Sequence, residues 1–199
     1  MRVLIVGASG TIGRAVVAEL ESRHEVIAAG RSSGDVRRDI TDNASINDAV
    51  KESGPVDAVV SAAGSVKFAP LEDMQAADYE IGLRDKLMGQ VNLVLIGRES
   101  ITDGGSFTLT TGVLDSDPIR QGSSASMVNG AINAFVMAAA IEMQRAVRLN
   151  AVSPGVIEEA MHAYAPFFRG FQPVPAARAA LAYSKSVEGS QTGKVYRVV

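Results

Sequence analysis

Cysteine and tryptophan are absent from this 199-residue chain, and histidine occurs only twice. Without cysteine the chain can form no disulfide, no thiol nucleophile and no thiolate metal site. His24 and His162 lie far apart with no ligand spacing, so we expect no structural metal. The missing cysteines also fit a cytoplasmic protein, which is the location we expect.

Excess charge and long apolar runs are also missing. The net charge of −3 provides no basic surface, so we expect no nucleic acid partner. No apolar run reaches the ~18 residues of a membrane span, and the N-terminus lacks the regions of a signal peptide, so we expect no membrane partner. A hydrophobic share of 47% in 199 residues is enough for a sizeable core and predicts a single domain over residues 1–199.

Glycine is plentiful, and three glycines near the N-terminus form the most informative pattern. The apolar run 3–6 leads into a turn with glycines at positions 7, 10 and 13, after which apolar residues recur at helical spacing. This order predicts a pyrophosphate site, because the free N–H groups and the dipole of a helix N-terminus favour an anion. We expect a Cβ at Gly7 or Gly10 to block the turn or the ligand, whereas Gly13 lets the helix pack closely. An ordinary tight turn is the alternative. The residues assigned to the cofactor here are Gly7, Ser9, Gly10, Thr11, Ile12 and Gly13.

The second predicted strand, 25–30, is followed by Arg31-Ser32-Ser33. A site for NAD places an acidic residue about here, to hold the ribose 2′-OH. A guanidinium and a hydroxyl suit a 2′-phosphate instead, through charge-assisted hydrogen bonds. Arg31 and Ser32 therefore predict NADP(H) in preference to NAD(H). The alternative is a solvated loop arginine.

The remaining chain alternates between predicted strands and helices. Thr41 or Asp42 is expected to cap the second helix, which Gly54-Pro55 ends. An apolar stripe that includes Leu83, Val91 and Leu95 indicates either core or a dimer surface. The further strands are predicted at 35–40, 56–60, 106–111, 147–152 and 194–199, and the further helices at 71–101, 123–145 and 175–187. This alternation predicts an α/β fold of three layers, with a doubly wound parallel sheet.

With these elements assigned, the sequence resembles the short-chain dehydrogenase/reductase family over nearly its whole length. The glycine turn has the family's G-x-x-G-x-x-G spacing, and the other matching segments are Asp39-Ile40, Ser61-Ala62-Ala63-Gly64 and the run from Arg148 to Pro154-Gly155. The resemblance implies a Rossmann fold, a dinucleotide cofactor, a small carbonyl or alcohol substrate, and a homodimer or homotetramer. It also implies cofactor contacts at Asp39, Ile40, Ala62, Ala63, Gly64, Pro154 and Gly155.

The family's catalytic residues are not matched. Its Tyr-x-x-x-Lys pair aligns with Ala125 and Asn129, its serine with Gly112 and its helical asparagine with Lys86. We expect Lys86 to reach the vacated space, hold the cofactor and donate a proton if its pKa is lowered. Thr110 and Thr111 are expected to orient a carbonyl, with Ser123 and Ser124 as weaker candidates. The alternative is that Lys86 is a solvated helix lysine.

After Pro154-Gly155, Glu159 occupies the position of a family threonine, and an aromatic segment follows. The segment is interpreted as a lid, a dimer contact or a packed loop. It contains Tyr164, Phe167, Phe168 and Phe171. The whole pattern favours an NADP(H)-dependent oxidoreductase with a non-standard catalytic site. The alternatives are an inactive dinucleotide-binding sensor or regulatory protein and a cofactor-free scaffold, against which the intact glycine turn argues.

Overall fold

A computed structural model describes residues 1–31, 34–37 and 39–199, with Arg37 described by its backbone alone, so the predicted contact of Ser32 lies outside the described residues. Seven strands form one parallel sheet in the order β3-β2-β1-β4-β5-β6-β7. They are β1 (Arg2–Val6), β2 (Glu25–Gly30), β3 (Val36–Arg37), β4 (Val56–Ser61), β5 (Ile101–Thr110), β6 (Arg148–Pro154) and β7 (Val195–Val198). This topology confirms the predicted doubly wound α/β fold.

Helices cover both faces of the sheet, and the apolar residues of β1 contact both layers. Val3 and Ile5 belong to a buried cluster with α1 (Thr11–Leu20) and α7 (Ala176–Glu188). Leu4 and Val6 belong to the opposite cluster, with α2 (Asn43–Ser53), α4 (Gly89–Gly97) and α5 (Ser123–Glu142). Alternate residues of a strand face opposite sides, so a strand covered on both sides needs a continuous apolar run, as β1 has.

The long helix predicted over 71–101 is wrong in its continuity and its C-terminal end. A 3₁₀ turn (Leu71–Asp73) comes first, and α3 (Ala76–Gly82) then begins at a capping box formed by Gln75 and Asp78. A π-helical turn (Leu83–Met88) joins α3 to α4. Ile101 is the first residue of β5 and pairs with Val56. Apolar spacing missed these breaks because a π turn leaves apolar side chains on roughly the same face.

Three smaller boundaries were also resolved by the structure. The third strand is limited to Val36–Arg37, and α5 ends at Glu142 because Met143 is extended. Asp42 caps α2, its carboxylate accepting the N–H of Ala44 at 3.0 Å. The hydroxyl of Thr41, the other predicted cap, donates to Asp39 instead.

Among the helices of the described residues, α5 alone has the length and composition of a membrane-spanning segment. Serines and asparagines interrupt the apolar residues of this helix, which is why the sequence shows no continuous apolar run of that length. Eight of its residues are buried, and Val128, Ile132 and Val136 pack into the core cluster with β5 and β6. This is the position of a core helix. A short helix, α6 (Met161–Tyr164), follows β6.

Candidate active site

Two cavities lie in a row along the carboxyl ends of the central strands. We call them the Arg31 cavity, of 260 Å³, and the Lys86 cavity, of 440 Å³. Gly64 and Ser65 line both, so the two form one cleft. The cleft lies where doubly wound sheets bind their ligands. Predicted residues that line the Arg31 cavity are Gly7, Ser9, Gly10, Arg31, Asp39, Ile40, Ala62, Ala63 and Gly64, and those that line the Lys86 cavity are Ile12, Gly64, Lys86, Thr111, Pro154 and Gly155.

The glycine turn owes its shape to close backbone contacts. Gly7 has φ +84°, and a Cβ there would lie 2.7 Å from the carbonyl oxygen of Ala62. A Cβ on Gly13 would overlap the carbonyl oxygen of Gly7. At Gly10 a Cβ would meet only the carbonyl oxygen of Gly7, at 3.4 Å, so the turn itself does not require this glycine. Any requirement at Gly10 therefore comes from a ligand.

The N-terminus of α1 fits a pyrophosphate. Gly10 precedes the helix in an extended conformation and offers no side chain to cap it. The first N–H groups of a helix have no partner within it, so those of Thr11, Ile12 and Gly13 suit phosphate oxygens. Thr11 and Gly13 lie in this first turn without lining either cavity.

The far end of the Arg31 cavity combines one cation and two carboxylates. Arg31 is exposed, and its charge faces Asp39. Asp39 accepts the N–H and the hydroxyl of Thr41, at 2.9 and 2.8 Å, and these bonds lower the pKa of Asp39 below its usual range. Asp85 also lines this cavity, and sequence reasoning missed it. Its one signal was its position next to Lys86.

Lys86 lies in the π turn between α3 and α4 and is partly buried. Its Nζ donates to Oδ1 of Asn129 at 2.8 Å and to the carbonyl oxygen of Thr111 at 3.3 Å. Nδ2 of Asn129 donates to the carbonyl oxygen of Gly112 at 3.3 Å. Burial lowers the pKa of Lys86 to about 8. The lysine is therefore held inside the cleft and is not a solvated helix residue.

Gln90 fixes the π turn that carries this lysine. Its fully buried side chain donates from Nε2 to the carbonyl oxygens of Lys86, at 3.1 Å, and of Thr110, at 2.8 Å. Its Oε1 accepts the N–H of Thr110 at 2.8 Å. The amide of Gln90 thus connects the turn that carries Lys86 to the end of β5.

The two threonine hydroxyls do not point to a substrate. The hydroxyl of Thr110 donates to the carbonyl oxygen of Ser61 and lies 2.6 Å from the phenol of Tyr183, and Thr110 does not line the cavity. The hydroxyl of Thr111 donates to the carbonyl oxygen of Asn129 at 3.1 Å. Ser123 bonds to Tyr79 at 2.8 Å, away from the cavity, and Ser124 does not line it either. The expected carbonyl-orienting role of these hydroxyls has no geometric support.

Part of the aromatic segment forms a wall of the Lys86 cavity. Tyr164 and Phe168 line it, together with Phe68 from the loop after β4. Phe167 lies on the same segment but does not line it. Glu159 is bound elsewhere, because its carboxylate accepts the N–H of Ala176 at the start of α7.

Comparison with known proteins agrees with this geometry. A family profile described as enoyl-(acyl carrier protein) reductase matches residues 1–195. The protein lin1944 of Listeria innocua is 53% identical, with a TM-score of 0.99 and 100% of both chains covered. A small-chain dehydrogenase crystallised in complex with NADPH is 25% identical, with a TM-score of 0.88 and coverage of 100% of this chain and 96% of the other.

A curated relative from Zymoseptoria tritici bears the name "Probable tetrahydroxynaphthalene reductase". It is 32% identical over 152 residues, which are 74% of this chain and 55% of the relative, so the match spans just over half of that reductase. The family profile covers nearly the whole chain, and the fold and the glycine turn agree with it. The chain belongs to the short-chain dehydrogenase/reductase family.

Proposed function

We propose that this protein is an NADPH-dependent oxidoreductase that reduces small carbonyl compounds, with Lys86 at the reacting end of the cleft. One observation carries the proposal. A lysine with its pKa lowered to about 8 lines a cavity that continues into the glycine-turn cleft. A proton donor and a dinucleotide cleft side by side are what carbonyl reduction requires.

Preference for NADPH over NADH is supported by the position of Arg31, the one cation among the described residues that line the Arg31 cavity, beside the carboxylates Asp39 and Asp85. Arg31 lines it directly after β2. Asp35, the nearest carboxylate along the chain, accepts the N–H of Ala28 at 2.9 Å and does not line the cavity. A 2′-phosphate would thus meet a guanidinium at the position where a carboxylate would repel it.

Lys86 has the hydrogen-bonding capacity for a second role. An ammonium group has three N–H donors, and those of Lys86 reach Asn129 and Thr111, which leaves one for a ribose hydroxyl or a substrate oxygen. The reduced nicotinamide, when bound, supplies the hydride. Lys86 would give its proton to the carbonyl oxygen, and its lowered pKa makes that transfer easier than from an ordinary lysine. Asn129 acts as a positioning residue for the ammonium.

The contact between Lys86 and Asn129 also suggests how this site differs from the family pattern. By the resemblance, Lys86 stands where the family has asparagine, and Asn129 stands where it has lysine. Nζ of Lys86 and Oδ1 of Asn129 are 2.8 Å apart. A lysine and an asparagine are therefore in contact here, but each stands at the position where the family has the other. This arrangement supports a site that has retained its cation. Ala125 stands at the position of the family tyrosine, and the tyrosine that lines this cavity, Tyr164, comes from the aromatic segment after β6.

The lack of that phenol favours a second candidate, an inactive dinucleotide-binding sensor or regulatory protein. General acid catalysis is typically worth about 10²–10⁴-fold, so the loss of tyrosine slows a reaction without removing hydride chemistry. The two candidates share the cofactor and differ only in turnover.

Calorimetric titration with NADPH and NADH, followed by NADPH oxidation with aldehydes, ketones and quinones, tests both candidates. We expect tighter binding of NADPH and measurable turnover. Binding without turnover of any compound would select the sensor. Failure to bind either dinucleotide would exclude both functions.

Self-association is proposed as well, as a cytoplasmic homodimer or homotetramer. Leu95 of α4 and Met137 and Ile141 of α5 are exposed. An isologous contact between the α4–α5 faces of two copies would bury them. Analytical ultracentrifugation should show a dimer or tetramer, and a monomer at high micromolar concentration would contradict this.

A further inference from the structure

The Lys86 cavity has an apolar half that proton donation does not use. Its lining there is formed by Val66, Phe68, Val113, Leu114, Val156, Tyr164 and Phe168. Among the described residues that line this cavity, Lys86 is the only charged one. A carboxylate or phosphate bound in the apolar half would be desolvated without a cation beside it, at a large free-energy cost. The apolar half therefore suits an uncharged group.

Three aromatic rings form one continuous wall of this half. The ring centroids of Phe68 and Tyr164 are 6.3 Å apart, and those of Tyr164 and Phe168 are 6.1 Å apart with the rings nearly perpendicular. Phe168 is buried, whereas Phe68 and Tyr164 are 36% and 39% exposed. Two of the rings thus keep free surface at the cavity. Aromatic rings gain from edge-to-face and offset contacts with another ring beyond what burial alone provides.

Space for such a ring exists beside Ala125. This residue is buried together with Val113, Leu114, Val156 and Phe168, and it also lines the cavity. The family pattern has a tyrosine ring at this position, whereas the smaller side chain of alanine takes up less of the cavity that Lys86 and the aromatic wall also line. The cavity of 440 Å³ lies within the usual range for small-molecule sites.

We propose that the Lys86 cavity selects uncharged aromatic ketones or aldehydes, with the ring against Phe68 and Tyr164 and the carbonyl towards Lys86. This inference rests on the proposed NADPH-dependent reduction. The carbonyl carbon gains a hydride from NADPH, and the carbonyl oxygen gains a proton from Lys86. Water then returns a proton to the neutral amine of Lys86. The products are the aromatic alcohol and NADP⁺.

Two bicyclic ketones separate the contribution of the aromatic ring from that of size. In 1-tetralone one ring is aromatic, whereas in 1-decalone the same skeleton is saturated. Calorimetry on the protein with NADP⁺ measures their affinity without turnover, and NADPH oxidation measures kcat/KM. We expect 1-tetralone to bind about tenfold more tightly than 1-decalone, since one contact between aromatic rings can increase affinity by roughly that factor. A 1-tetralone carrying a carboxylate on its aromatic ring should bind more weakly than 1-tetralone.

Variants of the wall test whether these side chains cause the preference. Tyr164→Leu and Phe68→Leu should bring the affinity ratio of the two ketones close to one, while NADPH affinity stays unchanged. Tyr164→Phe should keep the preference, because it keeps the ring. Phe167→Leu is the matched control, since Phe167 is 41% exposed on the same segment but does not line the cavity.

Equal affinity for the two ketones in the wild type, or a preference that survives both leucine substitutions, would overturn the aromatic assignment. With NADPH affinity intact, either result leaves the proposed function standing. Loss of all dinucleotide binding in the wild type would overturn the proposed function and the aromatic assignment together.

Discussion

The two ends of the cleft differ in what shapes them, which is mainly backbone at one end and side chains at the other. The Arg31 cavity is shaped largely by the backbone of the glycine turn, in which Gly7 lies against the carbonyl oxygen of Ala62 and Gly10 directly precedes α1. The Lys86 cavity is shaped by side chains from distant elements, in which a lysine of the π turn meets an asparagine of α5. A backbone-built site can keep its ligand while the sequence around it changes. A side-chain-built site changes its chemistry with one or two substitutions.

The largest expected effect is at the backbone-built end. Gly13→Ala would drive a Cβ into the carbonyl oxygen of Gly7, so we expect a loss of about 2–3 kcal/mol of stability and of most NADPH affinity. Thermal unfolding and calorimetry measure both. Gly130→Ala on α5 is the control, because a Cβ there has no neighbour within 4 Å, and it should be neutral or stabilising. Unchanged NADPH affinity in Gly13→Ala would contradict a backbone-built site.

Arg31→Asp should invert cofactor preference. It removes a charge-assisted bond to the 2′-phosphate, worth about 2 kcal/mol or roughly 30-fold in affinity, and offers a carboxylate to the ribose of NADH. Titration of both dinucleotides measures the ratio. The exposed Arg169 lines neither cavity, so Arg169→Asp carries the same charge change without the effect. Equal wild-type affinity for NADPH and NADH would remove the Arg31 assignment.

At the side-chain-built end, Lys86→Met keeps the length of the side chain and removes its charge. We expect turnover or cofactor affinity to fall at least ~10-fold, about 1.4 kcal/mol. Lys67→Met is the control, since this exposed lysine borders the cleft without lining it.

Exchange of Lys86 and Asn129 in one double variant tests the same end of the cleft. Lys86→Asn alone should behave like Lys86→Met, whereas Lys86→Asn combined with Asn129→Lys restores a cation to the pair and should recover part of the loss. Kinetics and cofactor affinity that match the wild type in Lys86→Met would show that the lysine has no part in the reaction.

The smallest expected effect is the dependence on pH. Burial lowers the pKa of Lys86 to about 8, so the donor form is lost as pH rises through that value, and kcat/KM should be half its plateau near pH 8. The unfolded chain keeps this proton up to about pH 10.4, so the unfolded state binds more protons between the two values. The buried charge of Lys86 therefore lowers the free energy of unfolding by its full amount below pH 8, and this destabilisation disappears towards pH 10. Lys86→Met should raise the Tm most at neutral pH, and a pH-independent difference would contradict this.

The sequence predicted the fold and the glycine turn because both depend on local patterns. Apolar runs, glycine spacing and small residues at strand ends lie within a few positions of one another, and the register of a parallel sheet then aligns the strand ends. Arg31, Asp39 and Ala62 lie at those ends and line one cavity. Asp85 was missed because its position depends on the π turn, which apolar spacing does not reveal.

The hydrogen-bond partners of the threonine hydroxyls could not be predicted for a related reason. Thr110 and Thr111 are neighbours in sequence, yet their hydroxyls bond to different elements, to the carbonyl oxygens of Ser61 and Asn129. A threonine hydroxyl at a strand end next to a cavity can bond either to a ligand or to another part of the protein. Only the three-dimensional packing determines which partner it has. The resemblance already placed Lys86 near the position of Asn129, 43 residues along the chain, but their direct hydrogen bond became visible only in the structure.

The π turn under Lys86 behaves as a one-residue insertion within a helix. A π turn contains one residue more than a regular helical turn, so removal of one residue here would join α3 and α4 in one regular helix with little change in their relative orientation. Gln90 holds this turn against the end of β5, because its side chain bonds to the carbonyl oxygen of Lys86 and to both backbone polar groups of Thr110. In genetic terms, such a turn can be gained or lost with a single codon while the helices on either side keep their packing.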